Sequence, residues 1–281
     1  MATIKKIKRR IKSIQSTQKI TRAMKMVAAT KLRRAQERAE SARQYFNRSR
    51  DILLGVANSL EAGEHPLFAQ RDVKRTCVIA ITADRGLCGG YNGRLVKIIT
   101  DQYKEKSRLD FLAIGRRGED ILRRQGYNIL ERFIDIPDYP TFKLAKTITT
   151  IVMDGYLRGD YEQILLAYTE FHSALTQVPV FLQLLPFEEK EGQGNQKQYI
   201  MEPSPAEIID LIVPRYLENL IYGALLEAKA SEFGARMTAM DAATESAQEM
   251  IDNLTVLYNR ARQEEITLEM LEIVGGAEAI R

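Results

Sequence analysis

The stretch TCVIAITADRGLCGGYNG, residues 76 to 93, joins an apolar, β-branched run to a loop that contains four glycines. A strand followed by a glycine-rich loop and a helix opens many α/β units, and the helix N-terminus often holds a phosphate. The spacing argues against a phosphate site here, because no lysine stands at the P-loop position and the glycines do not fit GxGxxG. We therefore predict a tight turn, with Asn92 capping the next helix and with Asp84 and Arg85 as a surface or loop-fixing pair.

Three further apolar runs follow in the same region. They are DFLAI, EQILLAYT and VFLQLLPF, and they alternate with helical patterns near residues 92–106, 117–125 and 141–158. Strands that alternate with helices predict a mostly parallel sheet. We therefore predict a Rossmann-like α/β domain at residues 75–187, followed by a linker at residues 188–203, which is polar and contains glycine.

The two ends of the chain have a helical period instead. Apolar and small residues recur every three or four positions through residues 1–60 and again through residues 204–281. At 1.5 Å per residue these helices would be about 80 Å and about 105 Å long, so each needs a partner helix to bury its apolar stripe. Ser204 is predicted to cap the second helix and Pro214 to kink or interrupt it. The predicted fold class is therefore α/β plus a long α-helical coiled coil, an antiparallel two-helix shaft with the α/β domain inserted between its helices.

Charge separates the two ends of the chain. The formal net charge of +4 hides 16 Lys or Arg against two acids in residues 1–50, and 6 Lys or Arg against 15 acids in residues 202–281. Oppositely charged ends attract each other, and a basic arm also binds polyanions. A basic coiled coil that binds nucleic acid is therefore an alternative function, although no aromatic residue occurs before Tyr45 to stack on bases.

No group of residues in the sequence points to catalysis or to a metal. The two histidines stand alone, and neither CxxC nor HExxH occurs. Cys88 has no histidine near it in sequence, so we predict a small loop residue rather than a nucleophile. Two cysteines favour a reducing, intracellular setting, and no apolar run reaches the ~18–20 residues that cross a bilayer. We predict no catalytic residue, no metal and no cofactor.

Three separated motifs closely resemble the γ subunit of F-type ATP synthases. They are IKSIQSTQKITRAMKMVAATKLRRAQ, DRGLCGGYN and ASEFGARMTAMDAATESAQEMIDNLTVLYNRARQEEITLEMLEIVGGA. The resemblance implies a non-catalytic central-stalk rotor that couples ion flow through a membrane rotor ring to conformational cycling of the catalytic β subunits. Its partners would be the α and β subunits of the hexamer, the ε subunit and the c-ring, with no nucleic acid. Membrane association would be indirect, through the ring, at the cytoplasmic face of a bacterial membrane.

The same resemblance implies the contact residues. Those facing the catalytic β subunits are Met24, Lys31, Arg33, Arg34, Arg85, Cys88, Arg262, Gln263, Thr267 and Glu269. Those facing the rotor ring are Met201 and Glu202, and those in a hydrophobic bearing at the C-terminal tip are Leu268, Leu271, Ile273 and Val274. Chloroplast-type relatives carry an inserted cysteine pair for thiol regulation, and because this sequence has no such insert we expect no redox switch at Cys77 and Cys88.

Overall fold

The structure is a computed structural model, and it describes residues 2–57, 67, 71–103, 105–187 and 205–278. Two long helices, α1 (Ala2–Ala57) and α5 (Pro205–Glu278), come first and last in the order of the elements. The elements between them are β1 (Thr76–Ile81), α2 (Tyr91–Gln102), β2 (Leu109–Ile114), α3 (Arg116–Arg124), β3 (Asn128–Phe133), α4 (Phe142–Arg158), β4 (Gln163–Phe171) and β5 (Gln177–Leu185). Residues 58–60 of the predicted first helix, the predicted linker and Ser204 lie outside the described residues.

The five strands form one sheet in the order β3-β2-β1-β4-β5. β1 pairs in parallel with β2 and β4, β2 pairs in parallel with β3, and β5 runs antiparallel to β4. The predicted α/β domain with a mostly parallel sheet is therefore confirmed. The sequence pattern does not indicate β3, because this edge strand, NILERF, is mostly exposed and contains no continuous apolar run.

Helices cover both faces of the sheet. On one face, Ile79 and Leu166 pack with apolar residues of α4 and α5. On the other face, Val78 and Phe111 pack with apolar residues of α2 and α3. Strands that are buried on both faces are mostly apolar, which is why β1 and β2 are nearly continuous apolar runs rather than alternating ones, with Thr76 and Asp110 as their polar members.

Helix α5 continues past Pro214, so this proline does not interrupt the helix, and the predicted alternative, a kink at Pro214, stays a prediction. Proline removes one backbone N–H from the helical ladder and thereby weakens a helix interior. The residues on either side compensate, because Val213 and Leu217 are fully buried in the core formed with α4 and the sheet. Packing of an apolar face contributes more to helix stability than the intrinsic preference of one residue.

The chain divides into two compact units that cut across both long helices. The first unit comprises residues 1–27 and 237–281, and the second comprises residues 28–236. The second unit therefore contains the sheet and also part of α1 and part of α5. The predicted four-part division of the chain, with boundaries at residues 60, 75, 187 and 204, stays a prediction.

In the first unit the two long helices run antiparallel. Gln18 Nε2 donates to Gln248 Oε1 at 2.8 Å, and the hydroxyls of Thr21 and Thr244 share a hydrogen bond of 2.8 Å. Residue numbers thus rise on α1 as they fall on α5. The predicted antiparallel pair of terminal helices is confirmed in this unit.

Candidate partner-binding edge of the sheet

The carboxyl ends of β1 and β2 meet at one edge of the sheet, where loop 82–90 begins. Thr82 joins the two strands, because its amide and its hydroxyl both donate to the carbonyl of Ile114, at 2.8 Å each. The same hydroxyl accepts the amide of Gly118 at 3.0 Å. Arg117 N then donates to Ala83 O at 3.0 Å, so the start of α3 is fixed against the start of the loop.

Asp84 is the next fixed point of this loop. Its Oδ1 accepts the backbone amides of Arg116 and Asp135, both at 3.0 Å, and its Oδ2 accepts the amide of Ile136 at 2.7 Å. Among the described residues, Asp84 forms no ion pair with Arg85. Asp84 does fix the loop, as the sequence predicts, but the predicted partner is wrong, because the carboxylate binds backbone amides of two distant segments.

Arg236 of α5 holds the following part of the loop. Its guanidinium donates to the carbonyls of Arg85 and Gly86, each at 3.3 Å, and lies 2.8 Å from a carboxylate oxygen of Glu232. Glu232 also pairs with Lys229 Nζ at 3.0 Å. The three charged side chains are 6 to 11% exposed, so the loop backbone is attached to a charge cluster that is shielded from water.

Asn92 is not the helix cap that the sequence predicts. Helix α2 follows Gly90, which forms no side-chain cap, and Asn92 is buried in the first turn. Its Oδ1 accepts the amide of Ala83 at 2.9 Å, and its Nδ2 donates to Cys88 Sγ at 3.4 Å. The carboxamide therefore connects the two ends of the loop across its interior.

These bonds leave Arg85 and Leu87 on the outside of the loop, where both are exposed. Cys88 is 2% exposed and packs with Tyr91 and Ala235. Arg85 is therefore accessible to a partner, and its contact with the β subunits stays a prediction. The predicted contact of Cys88 with a partner does not fit its burial, and its side chain instead supports the loop from within.

Neither cysteine is expected to react with thiol reagents in the folded chain. Burial, with a smaller contribution from Asp110, raises the pKa of the Cys77 thiol from 9.0 to about 12. Burial also raises the pKa of the Cys88 thiol, where Arg236 opposes the shift and Glu232 adds to it. The thiolate is the nucleophile, and this higher pKa lowers the thiolate fraction of Cys77 at neutral pH roughly a thousandfold. Iodoacetamide at pH 8, followed by mass spectrometry, should label both thiols only after unfolding, and rapid labelling of the folded chain would contradict this.

The three basic residues of α1 that are predicted to face the β subunits, Lys31, Arg33 and Arg34, differ in their surroundings. Lys31 Nζ lies 2.6 Å from Asp138 Oδ2, so its charge is already engaged within the chain. Arg33 is exposed and pairs with Glu37 one turn later at 3.4 Å, and Arg34 is also exposed. Arg33 and Arg34 are therefore better placed than Lys31 to meet an acidic partner.

The other predicted contact residues that the structure describes are exposed, except Met24. Met24 is half-buried. The exposed residues are Arg262, Gln263, Thr267 and Glu269, together with the predicted bearing residues Leu268, Leu271, Ile273 and Val274. The predicted ring contacts, Met201 and Glu202, lie outside the described residues.

Two observations concern only the part of the chain that the structure describes. No helix there combines the length and the hydropathy that a membrane span requires. No group of three or more His, Cys, Asp or Glu side chains there is arranged to hold a metal ion.

The chain is similar to proteins of known kind over its full length. The family model described as ATP synthase matches residues 3–280. The ATP synthase gamma chain of Halothermothrix orenii is 48% identical, and that of Heliobacterium modesticaldum is 46% identical, each over 100% of both chains. A chain in the structure of the central stalk and c-ring of the Tetrahymena thermophila mitochondrial ATP synthase has a TM-score of 0.64 at 26% identity, covering 80% of this chain and 99% of that one. A chain of the Euglena gracilis mitochondrial ATP synthase shares the fold, with a TM-score of 0.74 at 17% identity and coverage of 99% and 95%.

The chain combines paired terminal helices with an α/β domain between them in sequence. Loop 82–90 at the carboxyl edge of the sheet, which exposes Arg85, is called the arginine loop. Together these features define a central-stalk protein. The 48% and 46% identity to gamma chains over the full length then decides which central-stalk protein this is. The chain belongs to the ATP synthase gamma chain family. Central-stalk function in an ATP synthase follows from that membership, and these similarities give no support to the nucleic-acid alternative.

Proposed function

We propose that this chain is the non-catalytic rotor that couples ion flow through the membrane ring to the conformational cycle of the catalytic β subunits. The observation that carries the proposal is the exposed apolar surface at the C-terminal end of α5. From Ile266 to Val274, six apolar side chains are 47 to 71% exposed, which is unusual for one helical segment of a protein in water. A segment of this kind needs an apolar surrounding that other subunits supply. The apolar bearing inside the hexamer provides that surrounding.

Apolar contacts suit a part that turns inside a sleeve. They are non-directional, so they do not hold the helix at one angle as hydrogen bonds would. The exposed residues Leu268, Leu271, Ile273 and Val274 would form this bearing, whereas the exposed polar residues Arg262, Gln263, Thr267 and Glu269 would contact loops of the β subunits.

Torque requires many contacts that act together. Moving one catalytic site from 1:99 to 99:1 between two states takes about 5.5 kcal/mol of differential interaction. One exposed ion pair contributes only about 0–1 kcal/mol. Exposed cations such as Arg33, Arg34 and Arg85 therefore act as a group against acidic side chains of the β subunits, together with steric pressure from the helices.

The chemistry of ATP belongs to the partner subunits in this proposal. The glycine loop of this chain is filled by its own groups, because Asn92 crosses its interior and Arg236 binds its carbonyls. The chain biases conformations and transfers no group itself. It works at the cytoplasmic face of the membrane, attached through the rotor ring.

Reconstitution with the α and β subunits is the direct test of this function. We expect the chain alone to hydrolyse no ATP. The hexamer of α and β subunits, joined to the membrane sector in vesicles, should pump ions only when this chain is present. The matched control is the same preparation without the chain, measured for ATP hydrolysis and ion uptake together. Turnover by the isolated chain would overturn the non-catalytic role, and pumping without the chain would overturn the rotor role.

A further inference from the structure

Residues 134–141, which connect β3 to α4, lie between the arginine loop and α1. We call this segment the strap. One end of the strap, at Asp135 and Ile136, is bound to Asp84, and the middle of the strap contacts α1. The segment thus joins the carboxyl edge of the sheet to the part of α1 that belongs to the second unit.

The backbone of the strap is shaped to meet the Asp84 carboxylate. Asp135 has a left-handed φ of 57°, and successive amides at residues 135 and 136 point to the two oxygens of Asp84. The side chain of Asp135 also pairs with Arg116, with 3.0 Å between the nearest atoms. Because Arg116 N is the third donor to Asp84, one carboxylate fixes the start of α3 and the start of the strap at the same point.

The middle of the strap holds α1 through two contacts. Asp138 Oδ2 lies 2.6 Å from Lys31 Nζ. Two turns further along α1, the guanidinium of Arg38 lies 4.2 Å from the ring centroid of Tyr139, a cation–π distance. These contacts form a continuous path of bonded groups from Asp84, next to the exposed Arg85, to α1.

We propose that Asp84 is a positioning residue for torque transfer, which holds the strap against the arginine loop so that the sheet and α1 move together. The proposal rests on the proposed rotor function. Force on the exposed Arg85 reaches the neighbouring Asp84 directly, and the strap carries it to Lys31 and Arg38. Without the carboxylate, three backbone amides lose their acceptor and the strap can shift against the loop.

The test uses the assembled complex with Asp84→Ala in this chain. Hydrogen exchange should become at least about tenfold faster at the amides of residues 116, 135 and 136, because each hydrogen bond to a charged acceptor is strong. The number of ions pumped per ATP hydrolysed should fall, because the strap no longer holds α1 to the loop. Exchange in β1, which forms the centre of the sheet, should stay unchanged.

Two further variants separate a positioning role from simple damage to the fold. Asp138→Asn removes the ion pair at the other end of the path and should lower coupling in the same way, and the double variant should lose little more than either single variant. Asp120→Ala is the matched control, because Asp120 is 41% exposed on α3 and lies 3.9 Å from Arg117. It removes the same charge and should change neither exchange in the strap nor coupling.

Each result decides one part of the proposal. Unchanged coupling in Asp84→Ala and Asp138→Asn complexes would overturn the positioning role. Unchanged exchange at residues 135 and 136 would overturn the attachment of the strap by Asp84. If the complex with the unaltered chain fails to couple, the rotor function and the coupling role both fail, while the exchange measurement still decides whether Asp84 holds the strap.

Discussion

Glutamine in place of Glu232 is expected to lower the free energy of unfolding by about 3–5 kcal/mol, the usual cost of removing one partner from a buried ion pair. Glu232 pairs with both Lys229 and Arg236, at 3.0 and 2.8 Å. The side chains of these cations are only 9 and 11% exposed. Glutamine keeps the size of the side chain but leaves two nearly buried positive charges side by side, and water cannot screen them there.

The matched control for Glu232→Gln is Glu264→Gln. Glu264 pairs with Arg260 one turn away at 3.2 Å, so the pair has the same spacing along α5 as Glu232 and Arg236. The side chains of Arg260 and Glu264 are both largely exposed. Exposed pairs of this spacing contribute about 0.3–0.5 kcal/mol to the free energy of unfolding. Urea unfolding followed by circular dichroism gives both values. A loss below about 1 kcal/mol for Glu232→Gln would show that the cations reach water, contrary to the buried cluster.

The architecture can be predicted from the sequence because its signals are local. The three- and four-residue period of α1 and α5 appears within any short window, and so does the apolar run of β1 or β4. β3 gives no such signal. It lies at the edge of the sheet with most of its side chains exposed, so pairing with β2 makes it a strand, and that pairing is not written in its own residues.

The candidate site could be predicted only in part, because its anchors are distant in sequence. The loop around Arg85 stands out by its glycines. The groups that hold it do not, because Arg236 lies about 150 positions away and Asp135 about 50. Lys31 illustrates the same limit, because a basic residue on a helix looks exposed until Asp138 is known to lie beside it.

Local preference also gave way to packing in two places. Asn92 fits a helix cap by its type and its position, yet the buried interior of the loop takes its carboxamide instead. Pro214 fits a helix break, yet burial of Val213 and Leu217 keeps α5 continuous. In both cases the competing contact comes from another part of the chain, so the local sequence cannot show it.

Alanine in place of Gly115 is expected to lower the free energy of unfolding by about 2–6 kcal/mol, the sum of a backbone cost of about 1–3 kcal/mol and an overpacking cost of about 1–3 kcal/mol. Gly115 has a φ of +92° and a ψ of 133°, and a Cβ there would overlap the carbonyl oxygen of Thr82. Neither backbone can withdraw easily. Gly115 N donates to Phe133 O at 2.8 Å, and Thr82 N donates to Ile114 O at 2.8 Å, so movement breaks the bonds that join β1, β2 and β3 at this edge.

Gly126→Ala is the control for a positive φ without a clash, because Gly126 has a φ of +81° and nothing within 4 Å of an added Cβ. It should lose only a left-handed backbone cost of about 1–2 kcal/mol. In urea unfolding we therefore expect a larger loss for Gly115→Ala than for Gly126→Ala, because only Gly115→Ala adds the clash with Thr82. Equal losses would mean that the edge of the sheet can yield to a methyl group. Because Asp84 and the strap are attached to this same edge, such a soft edge would also transmit force poorly from Arg85 to α1, so the larger loss at Gly115 is what a rigid coupling edge requires.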